Sequence, residues 1–358
     1  MRAVAVLPGR RDSLHLRDDV PEPRAGGGEA IVRVLEAGVC GTDAEINRGE
    51  FGTAPPGSPY LILGHESLGS VVTAPPGATL APGDLVVCTV RRPCAEPCTP
   101  CAAERSDACL TGRYTERGIL GRHGLMVERY AESTRFLVRV PPRLRACAVL
   151  LEPLSVVEKG IELAYEVQRR LPWEPRTAVV LGGGAVGLLA AAALRLRGLD
   201  TVVASRAPAG GPKDLLLRDA GIRYACVASM PIEELPARLG RIDLVFEATG
   251  SSAAAGSALR IVGRNGVCVL ASITPGRQEL AFDMAGWNRE TVLGNRAVVG
   301  TVNAARRHFE AGVRDMETAE SRLPGWLPRL VTRRVPHAEA RAALAPAPED
   351  IKVVLSFS

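Results

Sequence analysis

The sequence is short of lysine, of aromatic side chains and of any extended basic run. Three of its 44 basic residues are lysines (Lys159, Lys213 and Lys352), and aromatics make up 4% of the chain. Thirty-nine acidic residues are interspersed, the net charge is +5, and no basic run exceeds a pair. A nucleic-acid partner is therefore not expected, because it needs a concentrated basic stripe. No export signal is expected either: the apolar stretch Ala3–Pro8 is too short for a signal core and no small-residue cleavage site follows it. A cytoplasmic location is the expectation. Residues 177–194 form an uncharged stretch of eighteen, yet they contain Gly182-Gly183-Gly184, which a spanning helix would not favour. No membrane partner is expected either. With 46% hydrophobic and 23% charged residues the composition is globular, and 358 residues suit two or three domains.

What the chain does have is cysteine in one place. Four of its nine cysteines (Cys94, Cys98, Cys101, Cys109) fall within sixteen residues. Clustering of this kind points to metal rather than to disulfides. The first 150 residues are short apolar runs broken by turns, such as Ala3–Leu7, Ile31–Leu35, Leu68–Val72 and Leu85–Val90. That rhythm predicts a β-rich, barrel-like domain. From Thr177 strands and helices alternate, as a doubly wound parallel sheet requires. The turn-rich Leu171–Pro175 marks the expected seam. The domains are then 1–175 with 304–358, and 176–303 between them. The terminal apolar strand, Ile351–Leu355, is expected to return to the first domain.

Two sets of residues carry chemistry. The run Val179–Gly187 puts a GxGxxG pattern between a strand and a helix. Gly182 would make the tight turn, Gly184 would admit a pyrophosphate, and Gly187 would let helix and strand pack closely. The helix amides, beginning at Ala185 and Val186, would face the phosphate charge. After the second strand come Ser205-Arg206, with no acid beside them. Arg206 suits a 2′-phosphate, so NADP is preferred and NAD remains open. The second set is Cys40, in Gly38-Val39-Cys40-Gly41-Thr42-Asp43, with His65-Glu66 and Glu152. Singly, each reads more readily as an ordinary buried or surface residue. Together they offer the three protein ligands of a catalytic zinc with an open fourth position.

The order GxCGTD, GHE, cysteine cluster and Rossmann segment resembles the medium-chain zinc-dependent alcohol dehydrogenases over essentially the whole chain. It is most similar to their glucose 1-dehydrogenase branch, through Arg91-Arg92, Glu116-Arg117-Gly118, Glu152-Pro153-Leu154 and Gly300–Asn303. The resemblance implies an α/β chain: a GroES-like catalytic domain plus a Rossmann coenzyme domain. It implies catalytic zinc on Cys40, His65 and Glu152, with Glu66 a near or alternate ligand and Asp43 orienting His65. It implies structural zinc on Cys94, Cys98, Cys101 and Cys109, where the C-x3-C spacing at the start is one residue longer than in relatives. Thr42 would take a hydrogen bond from the substrate hydroxyl, Glu116, Glu152 and Asn303 would hold sugar hydroxyls, and Thr249 would adjoin the coenzyme. A homo-oligomer, dimer or tetramer, is implied too.

The implied reaction is hydride transfer between a carbinol carbon and nicotinamide, with zinc lowering the pKa of the hydroxyl. Two other readings stay open here: a zinc-free quinone or enoyl reductase on the same fold, and a non-enzymatic nucleotide-sensing zinc protein. The substrate expectation rests on departures. Val90, Val156 and Leu293 stand where the branch carries polar residues, which favours a modified, less hydroxylated sugar or a cyclitol over free glucose.

Overall fold

The strand Glu29–Val39 organises the first half of the molecule. Its residues alternate between buried and less buried, with Ala30, Val32 and Val34 turned to the core, the period expected of a half-buried strand. It pairs antiparallel with Glu66–Thr73 and, across its C-terminal half, with Lys352–Ser356. The sheet runs Leu137–Val140, Leu85–Cys88, Glu66–Thr73, Glu29–Val39, Lys352–Ser356, Val331–Pro336, with Arg129–Ser133 also on Glu29–Val39. The core on this sheet includes Val32, Val34, Val71, Val86, Leu125, Met126, Val353 and Leu355. The terminal strand thus returns to the first domain, as its sequence led one to expect. This computed structural model describes residues 1–357 except 275, 277 and 346.

The second half is a six-stranded, wholly parallel sheet. In order across the sheet the strands are Arg223–Cys226, Asp200–Ser205, Thr177–Leu181, Leu244–Glu247, Val267–Leu270 and Ala297–Gly300. Numbered along the chain, that is the 3-2-1-4-5-6 order of the dinucleotide-binding fold. Its central strands are mostly apolar, with Leu244–Glu247 buried at every position, as in a parallel sheet covered by helices on both faces. The uncharged stretch 177–194 resolves into the strand Thr177–Leu181, a turn, and most of the helix Ala185–Leu196. Among the described residues no helix is long and apolar enough to cross a membrane.

The chain divides into one unit of 1–152, 303–316 and 327–358, and a second of 153–302 and 317–326. The seam expected at Leu171–Pro175 therefore lies inside the second unit, a correction with a clear cause. The helix Leu151–Gln168 packs on the parallel sheet. A Cβ on Gly160 would meet Phe246 at 2.8 Å, and Gln168 donates to the Asn265 carbonyl. Leu171–Pro175 is a loop after that helix, and prolines signal turns whether or not a domain ends there.

Candidate active site and metal centres

Cys40 precedes the short helix Gly41–Asn47, and His65 follows Gly64 at the start of the strand Glu66–Thr73. Asp43, fully buried, joins the two segments. Its carboxylate accepts from the Cys40 amide (2.9 Å) and from the Gly64 amide (3.2 Å). The expected orienting bond to His65 is not made, since Asp43 Oδ1 lies 3.8 Å from Nδ1, which has no hydrogen-bond partner. Asp43 fixes the backbone of both ligand segments instead. Burial raises the Asp43 pKa, while His65 beside it pulls the other way. Burial disfavours the charged imidazole of His65, yet Asp43, Cys40 and Glu152 outweigh it and leave its pKa well above the usual value.

Strand register supplies the carboxylate. Glu66 pairs opposite Gly38, and Val353 opposite Val39. A Cβ on residue 38 would collide with the Glu66 carboxylate, so only glycine fits there. The same register brings Lys352 to Glu66. Its Nζ donates to both carboxylate oxygens, at 2.7 and 2.6 Å, and to the Val39 carbonyl at 3.2 Å, and both charged side chains are buried. Donor atoms of Cys40, His65 and Glu66 lie within 4.8 Å of one another. Thiolate, imidazole and carboxylate are the ligand types zinc takes, so the chemistry of this close donor set fits a zinc ion.

Glu152, in the first turn of the helix Leu151–Gln168, is not part of that tight group, although it is buried beside it. Burial lifts its pKa to about 7; His65 works against this rise and Glu66 adds to it. Thr42, half-buried, sits in the helical turn after Cys40.

The four-cysteine loop closes on itself. All four sulfurs lie within 4.8 Å of one another, and Cys98 and Cys109 stand 3.8 Å apart. Sulfurs at tetrahedral corners around zinc, with arms of about 2.3 Å, are separated by about 3.8 Å. No pair is bonded as a disulfide. The C-x3-C spacing is accommodated by the turn over Ala95–Pro97, whose Glu96 carbonyl meets Cys94 Sγ at 3.1 Å. The thiols differ in character. Burial pushes Cys101 up to about 12, while a bond from Thr111 brings Cys109 down to about 6. A coordinated cation would deprotonate them alike.

Glu116 and Asn303 are brought together. Asn303 Nδ2 donates to Glu116 Oε1 at 3.0 Å, and Arg91 Nε donates to the same oxygen at 3.0 Å. Asn303 holds a left-handed backbone (φ 57) and caps the following turn through the Ala304 amide.

In the parallel-sheet unit, Gly182 has φ +119, and a Cβ there would come 2.6 Å from the Ala248 carbonyl. A Cβ on Gly187 would strike the Gly182 carbonyl, whereas one on Gly184 would meet open space. The tight turn thus falls to Gly182 and the close packing to Gly187, with open space beside Gly184. Ala185 and Val186 open the helix. Thr249 borders Gly182 (3.5 Å from where its Cβ would stand) and donates its hydroxyl to buried Glu247. Ser205 ends its strand, and its hydroxyl shares a 2.7 Å bond with Tyr224, whose hydroxyl also donates to the Ala207 carbonyl at 2.6 Å. Arg206 is exposed beside them.

With this geometry in view, the comparisons are decisive. Residues 26–142 match the alcohol dehydrogenase GroES-like domain, and 145–357 match the glucose dehydrogenase C-terminus. Glucose 1-dehydrogenase of Methanocella arvoryzae is 44% identical over 358 residues, spanning 100% of this chain and 99% of that protein. This chain belongs to the medium-chain zinc-dependent alcohol dehydrogenase family, in its glucose 1-dehydrogenase branch. Glucose 1-dehydrogenase of Thermoproteus tenax is likewise 44% identical, across 99% of both chains. Haloferax mediterranei glucose dehydrogenase, solved in complex with NADP, Zn and gluconolactone, has a TM-score of 0.91 at 35% identity, covering 100% of this chain and 99% of that one.

Three features of the site escaped the sequence reading: Lys352, Tyr224 and the need for glycine at 38. A signal existed for Lys352, one of only three lysines and placed at the head of an apolar strand. Tyr224 becomes visible only when neighbouring parallel strands are set side by side.

Proposed function

We propose that this protein is a zinc- and NAD(P)-dependent dehydrogenase that moves hydride between a hemiacetal or secondary hydroxyl of a glucose-like ring and the nicotinamide. The observation that carries the reading is the close Cys40–His65–carboxylate group, half-buried at Cys40, in a chain whose other unit holds the GxGxxG turn. Cys40, His65 and Glu152 hold the catalytic metal. Glu66 gives both oxygens to Lys352 and stands as the near, alternate ligand. Bound zinc supplies Lewis acidity that makes the substrate hydroxyl easier to deprotonate. Thr42 accepts the hydrogen bond of that hydroxyl and hands the proton outward. Glu116, oriented by Arg91 and Asn303, accepts from ring hydroxyls, and so does Glu152. Cys94, Cys98, Cys101 and Cys109 hold the structural zinc.

NADP is the preferred coenzyme. Ser205, held by Tyr224, and exposed Arg206 form the group that meets a 2′-phosphate. The protein acts in the cytoplasm, a setting that suits its free cysteines, and it self-associates. Support for association comes from the open edge strand Ala297–Gly300, with Val298 and Val302 exposed.

The relatives favour glucose itself, and one observation favours a ring with a hydroxyl replaced. Val90 is buried next to Arg91, and its apolar side chain offers no hydrogen bond. Val156 is half-buried, and Leu293 is 62% exposed near the end of the helix Met284–Gly294, so Leu293 carries no argument about a pocket. A panel of glucose, galactose, deoxy and amino sugars and cyclitols, each assayed with NADP and NAD, tests the proposal. A sugar oxidised with NADP at a kcat/KM of about 10⁴ M⁻¹s⁻¹ or more is expected; reduction of quinones with no sugar turned over would overturn it. Glucose at that efficiency would discard the modified-ring reading.

A further inference from the structure

Thr89 and Arg91, two positions apart, line a cavity of about 330 Å³ from which Val90 between them is absent, the alternation of an extended chain. The cavity lies within the catalytic unit and shares no wall residue with the Cys40 cluster. Arg91 is 5% exposed. It is held by Glu116, by the Asp107 carbonyl at 3.2 Å and by stacking on Tyr114. Arg306, whose Nε is paired with Glu310 at 2.8 Å, and Arg135 add two more guanidinium groups to the wall. Arg306 donates to the carbonyls of Arg135 and Leu137 at 2.8 and 2.9 Å, pinning the segment that carries Arg135. The Arg135 guanidinium lies over Phe136 and has no carboxylate partner among the described residues. Ala304 and Ala305 add the start of the helix Arg306–Arg322, whose dipole favours negative charge. Four hydroxyl-bearing residues, Thr79, Thr89, Ser106 and Thr134, line the same space together with Cys101, and the one carboxylate on the wall is exposed Glu104.

We infer that this cavity is a second ligand site, for a small phosphate-bearing anion. Guanidinium forks and hydroxyls match the oxygens of a phosphate, and the volume suits a small molecule rather than a macromolecule. Occupancy is linked to the sugar site through Arg91, whose Nε holds the Glu116 oxygen that Asn303 also holds. An anion drawing on Arg91 loosens Glu116 and weakens its grip on a sugar hydroxyl. That second step rests on the proposed role of Glu116; binding itself does not.

The test is calorimetric titration of zinc-loaded enzyme saturated with NADP, using inorganic phosphate in one arm and glycerol 3-phosphate in the other. Saturable binding is expected, weakened at least about tenfold in Arg135→Gln and unchanged in Arg206→Ala, which reports on the coenzyme phosphate. Tighter binding of glycerol 3-phosphate identifies an organic phosphate as the ligand, and equal or tighter binding of inorganic phosphate identifies the free ion. Arg135 is exposed and makes no side-chain hydrogen bond among those described, so Arg135→Gln keeps fold and basal turnover. No saturable heat, or binding indifferent to Arg135→Gln, overturns the site. Saturating phosphate should also raise the sugar KM at least about fivefold with kcat kept, and not in Arg135→Gln. An unchanged KM despite binding would overturn the link to Glu116.

Discussion

Lys352 and Glu66 neutralise each other in a place where neither could stand alone. Both are buried beside the catalytic metal ligands, and the lysine spends its donors on two carboxylate oxygens and one carbonyl. Removing one partner of a buried pair leaves the other charge uncompensated, at a cost of about 3–5 kcal/mol. Lys352→Met should lose stability of that order in denaturant unfolding and should hold catalytic zinc with altered affinity, since Glu66 is released. An unchanged midpoint and unchanged metal affinity would show the pair to be incidental. At the coenzyme end, Arg206→Ala should weaken NADP binding roughly ten- to hundredfold and leave NAD nearly untouched. Equal weakening of both would remove Arg206 from the 2′-phosphate. The residues themselves were largely legible in the sequence, because Cys40, His65, the four cysteines and the glycine pattern are chemically distinctive types at fixed spacing. Lys352 and Tyr224 were not, because their role depends on which strand lies next to which, and pairing between distant segments leaves no local pattern.

At the scale of elements, Glu132 does what no single motif announces. It lies on the strand Arg129–Ser133, and its Oε2 accepts from Arg92 (2.6 Å) and Arg117 (2.8 Å), which belong to the short strands Arg91–Arg92 and Thr115–Arg117. Those same strands carry Arg91 and Glu116, so this buried cluster ties the site-bearing ribbon to the barrel. Burial opposes the charge of Glu132, yet Arg92 and Arg117 outweigh it and lower its pKa from 4.5 to about 2. A pKa depressed by folding contributes stability that is complete above about pH 4.5 and lost as pH falls through about 2. The contribution is about 3 kcal/mol. Glu132→Gln should therefore be less stable at pH 7, and the gap to the wild type should narrow as pH falls toward 2. A gap constant with pH would mean that the charge of Glu132 does not matter. Strand and helix identities in the parallel-sheet unit could be read from periodicity, and the alternation expected from Thr177 onward is present, beginning with the strand Thr177–Leu181. The seam at Leu171–Pro175 could not, since proline density reports a turn and not the packing of the helix before it.

For the whole molecule, two zinc ions with different duties are expected in each chain. Cys101→Ala should lose the structural ion and unfold more readily, because that metal closes the four-cysteine loop; full zinc content and unchanged thermal stability would count against it. Sedimentation should show a dimer or tetramer, and a monomer at micromolar concentration would leave the exposed edge at Ala297–Gly300 without the partner proposed for it. The most direct measurement is elemental zinc content taken together with NADP-dependent sugar oxidation, for the wild type and for Cys40→Ala. The account predicts two zinc ions per wild-type chain, and one in Cys40→Ala with turnover abolished while NADP binding persists. Sugar oxidation by zinc-free protein, or full activity in Cys40→Ala, would contradict it.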